Sequence, residues 1–536
     1  MTWEIQKIPL LSGKNLTQFV LLTFLGVFLT ICFGVWWFIP GHIPHNFQGN
    51  WHLVDFILFA ALSYVVWHQI VNELFGWYLA AFMKKTVSIA PQKGKRVAFL
   101  TAFVPGKEPY DVLERTLRAM TTCHYPHDTW LLDEGNDAIA KKICAQYGVK
   151  HFTRKNAPHY NLEHGPYKAK TKGGNYNSWY NEYAKHYDFV AQLDVDFIPK
   201  KDFLTKTLGY FRDPKVAFVG TPQIYGNQHS SWIARGAAEQ AYNFYGCIQR
   251  GLFGQDMFLF IGANHIVRVS AHTNIGGYSG HIVEDHLTGM RFYANKWKSV
   301  YVAEVLATGE GPSTWGGYFS QQMRWAYGLI HILLTESPKL FRKMNLKHAL
   351  NYFFLQQYYF DGIAQALGIL LIGLFFLFGI QSTNMGLISL LTLYAPVLII
   401  QQVIFIWLQR FYIDPKSESG SLWRGKLLSL AAWPIYLLAF IQVVLGKKLT
   451  YAVTPKGAAQ EAQADVGLFL PHAFLGSATL ITVITALVKH IYAPHLLFFA
   501  TLNTVVMIGF FVSELVLVGK EKLRDAGNAK AISSSQ

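Results

Sequence analysis

Charge is scarce in this sequence. Only 15% of its 536 residues are Asp, Glu, Lys or Arg, against about 25% in average soluble domains, while 51% are hydrophobic and 15% aromatic. That balance indicates a membrane protein. Acid is the scarcer sign: 32 Asp and Glu stand against 47 Lys and Arg, a net charge of +15. The surplus base clusters beside apolar runs, as in cytoplasmic anchors of membrane spans. No basic, aromatic-interleaved module accompanies it, so nucleic acid is excluded as a partner. Four scattered cysteines, Cys32, Cys123, Cys144 and Cys247, form no CxxC or zinc-ligand spacing and read as buried thiols in a reducing compartment. Internal repeats and low-complexity tracts are missing. The first apolar run, residues 16–38, exceeds the roughly 7–15 residues of a signal-peptide core and no small-residue cleavage site follows it, so a retained anchor is expected.

Two apolar runs precede residue 84, one at 19–39 and one from 53 to about 74 with a continuation to 82. Each is long enough for the ~20 residues a bilayer requires. The segment between them, "GHIPHNFQGNWH", holds no Lys or Arg, whereas "MKKTVSIAPQKGKR" after the second is strongly basic. That contrast places the middle of the chain in the cytoplasm. From residue 97 to about 343, short β-rich runs ("VAFLTAF", "WLLD", "FVAQLD", "VAFVG") alternate with helical stretches such as "YDVLERTLRAM". Alternation of this kind predicts an α/β, Rossmann-like domain with a mainly parallel sheet and right-handed crossovers, whose ligands sit beyond the carboxyl ends of its strands.

Five more apolar runs follow, at 363–380, 387–408, 427–445, 473–488 and 496–518. The third has base at both ends, "WRGK" and "GKK", and contains Pro434. Laying it along the cytoplasmic interface keeps every strongly basic segment inside, including "GKEKLRD" in the tail. The expected layout is a membrane region at 1–94 with two spans, a cytoplasmic α/β domain at 95–344, and a second membrane region at 345–518 with four spans. That second region also holds the interfacial or re-entrant helix and another interfacial helix at 345–360, and a short tail occupies 519–536.

Three groups of residues carry chemistry. In "DFVAQLDVDFIPK" an apolar strand ends in Asp194 and Asp196. Strand-end acids also serve as turn and cap residues, but a hard cation such as Mg2+ takes one or two carboxylates plus substrate phosphates, which this pair at a strand end would satisfy. In "VEDHLTG", Glu284 and Asp285 open a helix expected over 285–297; they suit capping or a general base. In "QQMRWAYG", Gln321, Gln322, Arg324 and Trp325 precede the return to the membrane. Arg324 offers a donor fork for phosphate oxygens and Trp325 a flat face for a sugar ring, although such residues also populate membrane-interface belts. Together the groups point to sugar transfer from a nucleotide diphosphate: metal and Arg for an anionic leaving group, a base for the acceptor hydroxyl.

In that order and spacing, Asp133 in "LLDEG", Asp194-Val195-Asp196, Val283-Glu284-Asp285 and Gln321 to Trp325 resemble the motifs of the processive family 2 glycosyltransferases, above all bacterial cellulose synthase catalytic subunits and cellulose synthase-like proteins. The resemblance covers about residues 95–460. "KGGNYN", from Lys172, is similar to the family's basic K-x-G-N-x-N segment, and "YAVTPKG" in a segment at 447–470 to its F-x-V-T-x-K gating loop.

The resemblance implies a GT-A domain inserted in an α-helical transmembrane domain. It implies Thr101, Asp133, Glu134, Lys172, Asp194, Asp196, Arg324, Thr454 and Lys456 around a UDP-sugar, with Asp194 and Asp196 facing Mg2+ or Mn2+. Asp285, with Glu284 beside it, would be the base, and Gln321, Trp325 and Gly262 would meet the acceptor, a growing polysaccharide. Gln356, Gln357, Tyr358 and Tyr359 would line the entry to a channel. Implied partners are the donor, the polymer, the lipid bilayer and accessory export subunits; the implied setting is a multi-pass protein of the plasma (inner) membrane. The product would be a β-linked polysaccharide such as cellulose, with a hyaluronan- or chitin-type synthase or a non-processive lipid glycosyltransferase as alternatives. Departures from the pattern are Asp133-Glu134-Gly135 for D-D-G, Thr101-Ala102-Phe103-Val104 for T-Y-N-E and Leu259-Phe260-Ile261-Gly262-Ala263 for F-F-C-G-S. The last alters the acceptor wall. No cyclic-dinucleotide receptor domain is recognised after the last span, so regulation through one within this chain is not expected.

Overall fold

The computed structural model describes residues 5–414, 418–449 and 466–533. Two long apolar helices come first, α1 (Gly13–Trp37) and α2 (His52–Ala81). A short antiparallel ribbon, Lys7–Pro9 with Lys84–Thr86, ties the chain entering α1 to the chain leaving α2. Both ends therefore lie on one side of the helix pair, as two consecutive crossings require.

The α/β domain is built on seven strands: β1 (Val97–Phe103), β2 (Asp128–Asp133), β3 (Lys150–Phe152), β4 (Phe189–Asp194), β5 (Val216–Gly220), β6 (Asn264–Arg268) and β7 (Lys298–Tyr301). Their order is β7-β5-β6-β4-β1-β2-β3. The neighbours β4-β1, β1-β2, β2-β3 and β5-β7 run parallel, as the alternating pattern predicts. β6 breaks that rule by lying antiparallel between β4 and β5. Strands buried on both faces read as continuous apolar runs, and Ala98, Phe99, Leu100, Val190, Ala191, Leu193, Phe218 and Val219 have no exposure.

Helices cover the sheet through apolar stripes. In α3 (Tyr110–Thr121) Val112, Leu113, Thr116, Leu117 and Met120 are buried, the spacing of one helical face. α4 (Ala138–Tyr147) is capped by Asp137, whose carboxylate accepts from the N–H groups of Ile139 and Ala140, and ends at left-handed Gly148. α5 (Lys172–Tyr183) starts at Thr171, whose hydroxyl accepts from Gly174 N–H at 3.1 Å. Further elements are α6 (Trp232–Asn243), α7 (Glu284–Ala294) and α8 (Trp315–Thr335). A small sheet of Ile198–Pro199, Ala307–Gly309 and Ile224–Tyr225 stands at the carboxyl end of β4.

The chain then forms α9 (Leu346–Gln357), α10 (Asp361–Phe378), α11 (Leu387–Gln409), α12 (Trp423–Val444), α13 (Leu470–Val488) and α14 (Pro494–Ser533). α1 packs on α11, α2 on α10, and α13 on α14. Among the described residues seven helical segments are long and apolar enough to cross a membrane; charge placement predicts six, and the difference is α12. This helix runs unbroken through Pro434 and meets the length and composition test, so those criteria do not set it apart from a span. It is also the most enclosed of the seven, with 44% of its most apolar window buried. It packs on α6 and α8 of the α/β domain, with Leu428, Ala432 and Tyr436 in one cluster with Ala237, Tyr318 and Ala326.

Candidate active site

The ladder between β4 and β6 ends beside Asp194, whose N–H donates to Ala263 O at 2.9 Å. The chain turns there, Phe197 N–H returning to Asp194 O at 2.9 Å, and Asp196 is left buried. Pairing of Gly309 with Tyr225 in the small sheet delivers Glu310, whose N–H donates to Asp196 Oδ2 at 3.1 Å.

Lys172, the first residue of α5, ion-pairs with Asp194 and donates to Gly262 O at 2.8 Å. Burial works against its charge, but Asp194, then Tyr176 and Glu284, outweigh it and hold the amine well above the usual lysine pKa. The same Gly262 donates its N–H to Asp285 Oδ2 at 3.0 Å, while Asp285 Oδ1 accepts from His286 N–H at 2.8 Å. One residue, Gly262, thus links the strand-end acids to the acid pair that opens α7, through its C=O on one side and its N–H on the other. A Cβ on Gly262 would lie 3.2 Å from Asp285 Oδ2 and 3.4 Å from Lys172 Nζ, so a side chain would wedge between them.

Burial, and then the adjacent Asp285 charge, pushes the Glu284 carboxyl up to about 7. Asp285 is also raised by burial, against the His286 and Gly262 amides and the Lys172 and Arg324 charges that pull it down. Two interacting acids titrate as a pair, and this one changes charge nearer to neutrality than an isolated carboxylate does.

All of these groups line one cavity of about 1130 Å³. Glu134, Gln321, Gln322, Arg324 and Trp325 reach it too, the last four from α8, which is capped by Thr314 accepting from Gly317 N–H at 3.2 Å. Glu134 is oriented by the fully buried Arg154, with contacts of 2.7, 3.1 and 3.3 Å. The cavity continues among the membrane helices past Asn72 and Glu73 of α2, Phe405 of α11 and Tyr436 of α12, whose hydroxyl donates to Gln322 Oε1 at 2.9 Å.

Two expected nucleotide contacts stand apart from that cavity. Thr101 is fully buried in β1 and its hydroxyl has no hydrogen-bond partner. Asp133 is fully buried at the end of β2; its carboxylate accepts from Gly135 N–H at 2.8 Å, Asp137 N–H at 2.5 Å and His151 Nε2 at 3.0 Å, so it braces its own loop. Tyr358 and Tyr359 line the cavity. Gln356 bonds Ser337 and His286 (2.9 and 3.0 Å) and Gln357 bonds Asn72, so these two side chains are committed to packing. Thr454 and Lys456 lie outside the described residues. Sequence reasoning missed Glu310, Tyr245 and Gln223, which also face the cavity; "ATGEGP" around Glu310 carries no spacing that marks it, because a strand pairing brings it in.

Sheet order and the strand-end acids are those of a GT-A glycosyltransferase domain, here carried on membrane helices. Residues 189–443, a little under half of the chain, match the family model for glycosyl transferase family group 2. The chain is 26% identical over 64% of its length to a cellulose synthase catalytic subunit of Xanthomonas axonopodis, covering 46% of that protein. To the Pseudomonas fluorescens cellulose synthase catalytic subunit it is 23% identical over 80% of its length, covering 57%. To a probable glucomannan 4-beta-mannosyltransferase of Oryza sativa it is 30% identical over 45%, covering 41%. The chain thus spans about half the length of these curated relatives. Among solved structures, the mannosyltransferase PcManGT of Pyrobaculum calidifontis aligns with 73% of this chain and 100% of its own, at 13% identity and a TM-score of 0.47.

Proposed function

We propose that this protein is a processive, inverting polysaccharide synthase that transfers sugar from a UDP donor, UDP-glucose first among candidates, to a growing β-linked chain and passes the product across the bilayer. The observation that carries the reading is the backbone of Gly262, whose C=O and N–H join the donor-side pair Lys172–Asp194 to Asp285 in a cavity that continues between membrane helices. The cellulose synthase relatives, described as UDP-forming, support the donor class.

Asp285, oriented by two backbone amides, takes the proton of the acceptor hydroxyl as its oxygen attacks the anomeric carbon. The bond from that carbon to the diphosphate oxygen breaks with inversion, so an α-linked donor yields a β-linked product. The electron pair leaves on UDP, and Lys172 and Arg324 meet the added negative charge. Trp325 supports the terminal sugar through its ring face. Among the described residues there is no cluster of three metal-ligating side chains; two acids at a turn, Asp194 and Asp196, suit Mg2+ or Mn2+, which fill their coordination with phosphate oxygens and water. Asp196 and Asp194 would hold that ion, which supplies charge neutralisation at the diphosphate when bound.

The charge pattern supports a cytoplasmic α/β domain in a plasma-type membrane. The contact of α12 with α6 and α8 supports an interfacial placement for that helix. The test is to supply membranes holding the protein separately with labelled UDP-glucose, UDP-N-acetylglucosamine and UDP-glucuronic acid, then digest any polymer with linkage-specific hydrolases. Incorporation from UDP-glucose into a β-glucan is expected. Single-sugar products, or incorporation from the amino sugar alone, would overturn the reading.

A further inference from the structure

The helix that opens with Glu284 and Asp285 also borders a second cavity, through Leu287 and Arg291. This cavity has about 390 Å³, within the roughly 300–1,000 Å³ of small-molecule sites. Its other walls are the loop before α5, the loop before α7 and Glu336 just past α8. The two loops touch: a Cβ on Gly280 would lie 2.8 Å from Gly165 O.

The wall carries an excess of positive charge. Lys168 and Arg291 both face the cavity. Neither side chain makes a hydrogen bond or ion pair among the described residues, although Arg291 is half-buried with Glu336 as the nearby acid. His281, also in the wall, adds no charge. Val283 N–H donates to its Nδ1 at 3.2 Å, so Nε2 keeps the proton and donates to His331 Nδ1 at 3.1 Å. His164 lies at the exposed rim, 3.5 Å from the Glu163 carboxylate. Two cations against one carboxylate remain, and a part-buried guanidinium is well placed to donate a further charge-assisted hydrogen bond to an anion.

We propose that this cavity is a binding site, separate from the sugar-transfer cavity, for a small phosphate-bearing anion held between Lys168 and Arg291. A phosphate monoester carries close to two negative charges and three acceptor oxygens at neutral pH, enough for both cations, where a carboxylate would match only one. The site is wired to the transfer cavity on two sides. Lys168 O accepts from Arg154 Nη1 at 3.1 Å and from the Thr171 hydroxyl at 2.8 Å, next to Lys172. His281 holds the residue that precedes the acid pair.

The probe is inorganic phosphate, added to the full-length protein in neutral detergent at ionic strength matched with chloride. Thermal unfolding is followed, together with acylation of Lys168 by mass spectrometry. A saturable rise in Tm and protection of Lys168 are expected, with the affinity for phosphate falling about 10- to 100-fold in Lys168→Gln and in Arg291→Gln and persisting in Lys172→Gln. No phosphate effect beyond chloride, or an effect lost in Lys172→Gln but kept in Lys168→Gln, would overturn the proposal. Protection of Lys168 is read on the wild-type chain, so the result stands even if Arg291→Gln does not fold.

Discussion

Asp285→Asn is the substitution that bears most directly on the transfer step. It keeps the volume of the side chain and removes its basicity. Asp285 accepts one backbone N–H on each oxygen, 2.8 Å from His286 and 3.0 Å from Gly262. An amide keeps only one of these acceptors, so one N–H faces an NH2 group, a loss of about 1–3 kcal/mol. Relief of repulsion at Glu284 offsets part of that loss, so the variant should fold. Its turnover should fall about 10²- to 10⁴-fold, the usual worth of a general base, with UDP affinity unchanged. In the wild type the working form is the one in which Asp285 is ionised. Because both pKa values are raised, activity should be present above the apparent pKa of the pair and be lost as pH falls through it. Without the Asp285 charge, Glu284 should come down from about 7 but stay raised by its burial, moving the acid limb of residual activity to lower pH. The assay is initial incorporation of labelled sugar at saturating donor across pH, beside calorimetric titration with UDP. Near-full elongation by Asp285→Asn, or loss of elongation in Glu284→Gln alone, would refute the assignment of Asp285 as base.

Thr101→Val should leave both UDP affinity and Tm nearly unchanged, because the hydroxyl it removes is buried without a partner; a loss of UDP binding in titration would restore Thr101 to the donor site. Arg154→Met should lower stability by about 3–5 kcal/mol, the range for breaking a buried ion pair, since Glu134 and the carbonyls of Tyr160, Lys168 and Thr171 lose their donor; denaturant unfolding in detergent reads it. Chelation of divalent metal should abolish incorporation, Mg2+ or Mn2+ should restore it, and Asp196→Asn should raise the metal concentration needed for half-maximal activity.

Much of this architecture is local and was readable. The runs at β1, β2, β4 and β5 are apolar enough to mark strands without any neighbour, and the helix at Tyr110–Thr121 shows its buried face as a stripe. The apolar helices follow from length alone. Motif order placed Asp194, Asp196, Glu284, Asp285, Arg324 and Trp325 in one list, and the fold brings them to one cavity. The antiparallel insertion of β6 was not readable, since strand direction is decided by pairing partners and not by composition. Nor was the crossing or lying of α12 a matter of hydropathy, because a helix enclosed by protein and one enclosed by lipid have the same apolar content.

What the sequence determined by itself is which segments are apolar, which are strands or helices, and which residue types are available for metal, phosphate and proton transfer. These are properties of single residues and their near neighbours. The tertiary structure alone decided which of those residues act together. It turned Asp133 inward to brace a loop, left Thr101 inside the sheet, brought Glu310 to Asp196 through the pairing of Gly309 and Tyr225, and set the backbone of Gly262 between Lys172 and Asp285. The last three depend on contacts between residues far apart in the chain, and the first is completed by His151 from the next strand; spacing along the chain does not encode such contacts.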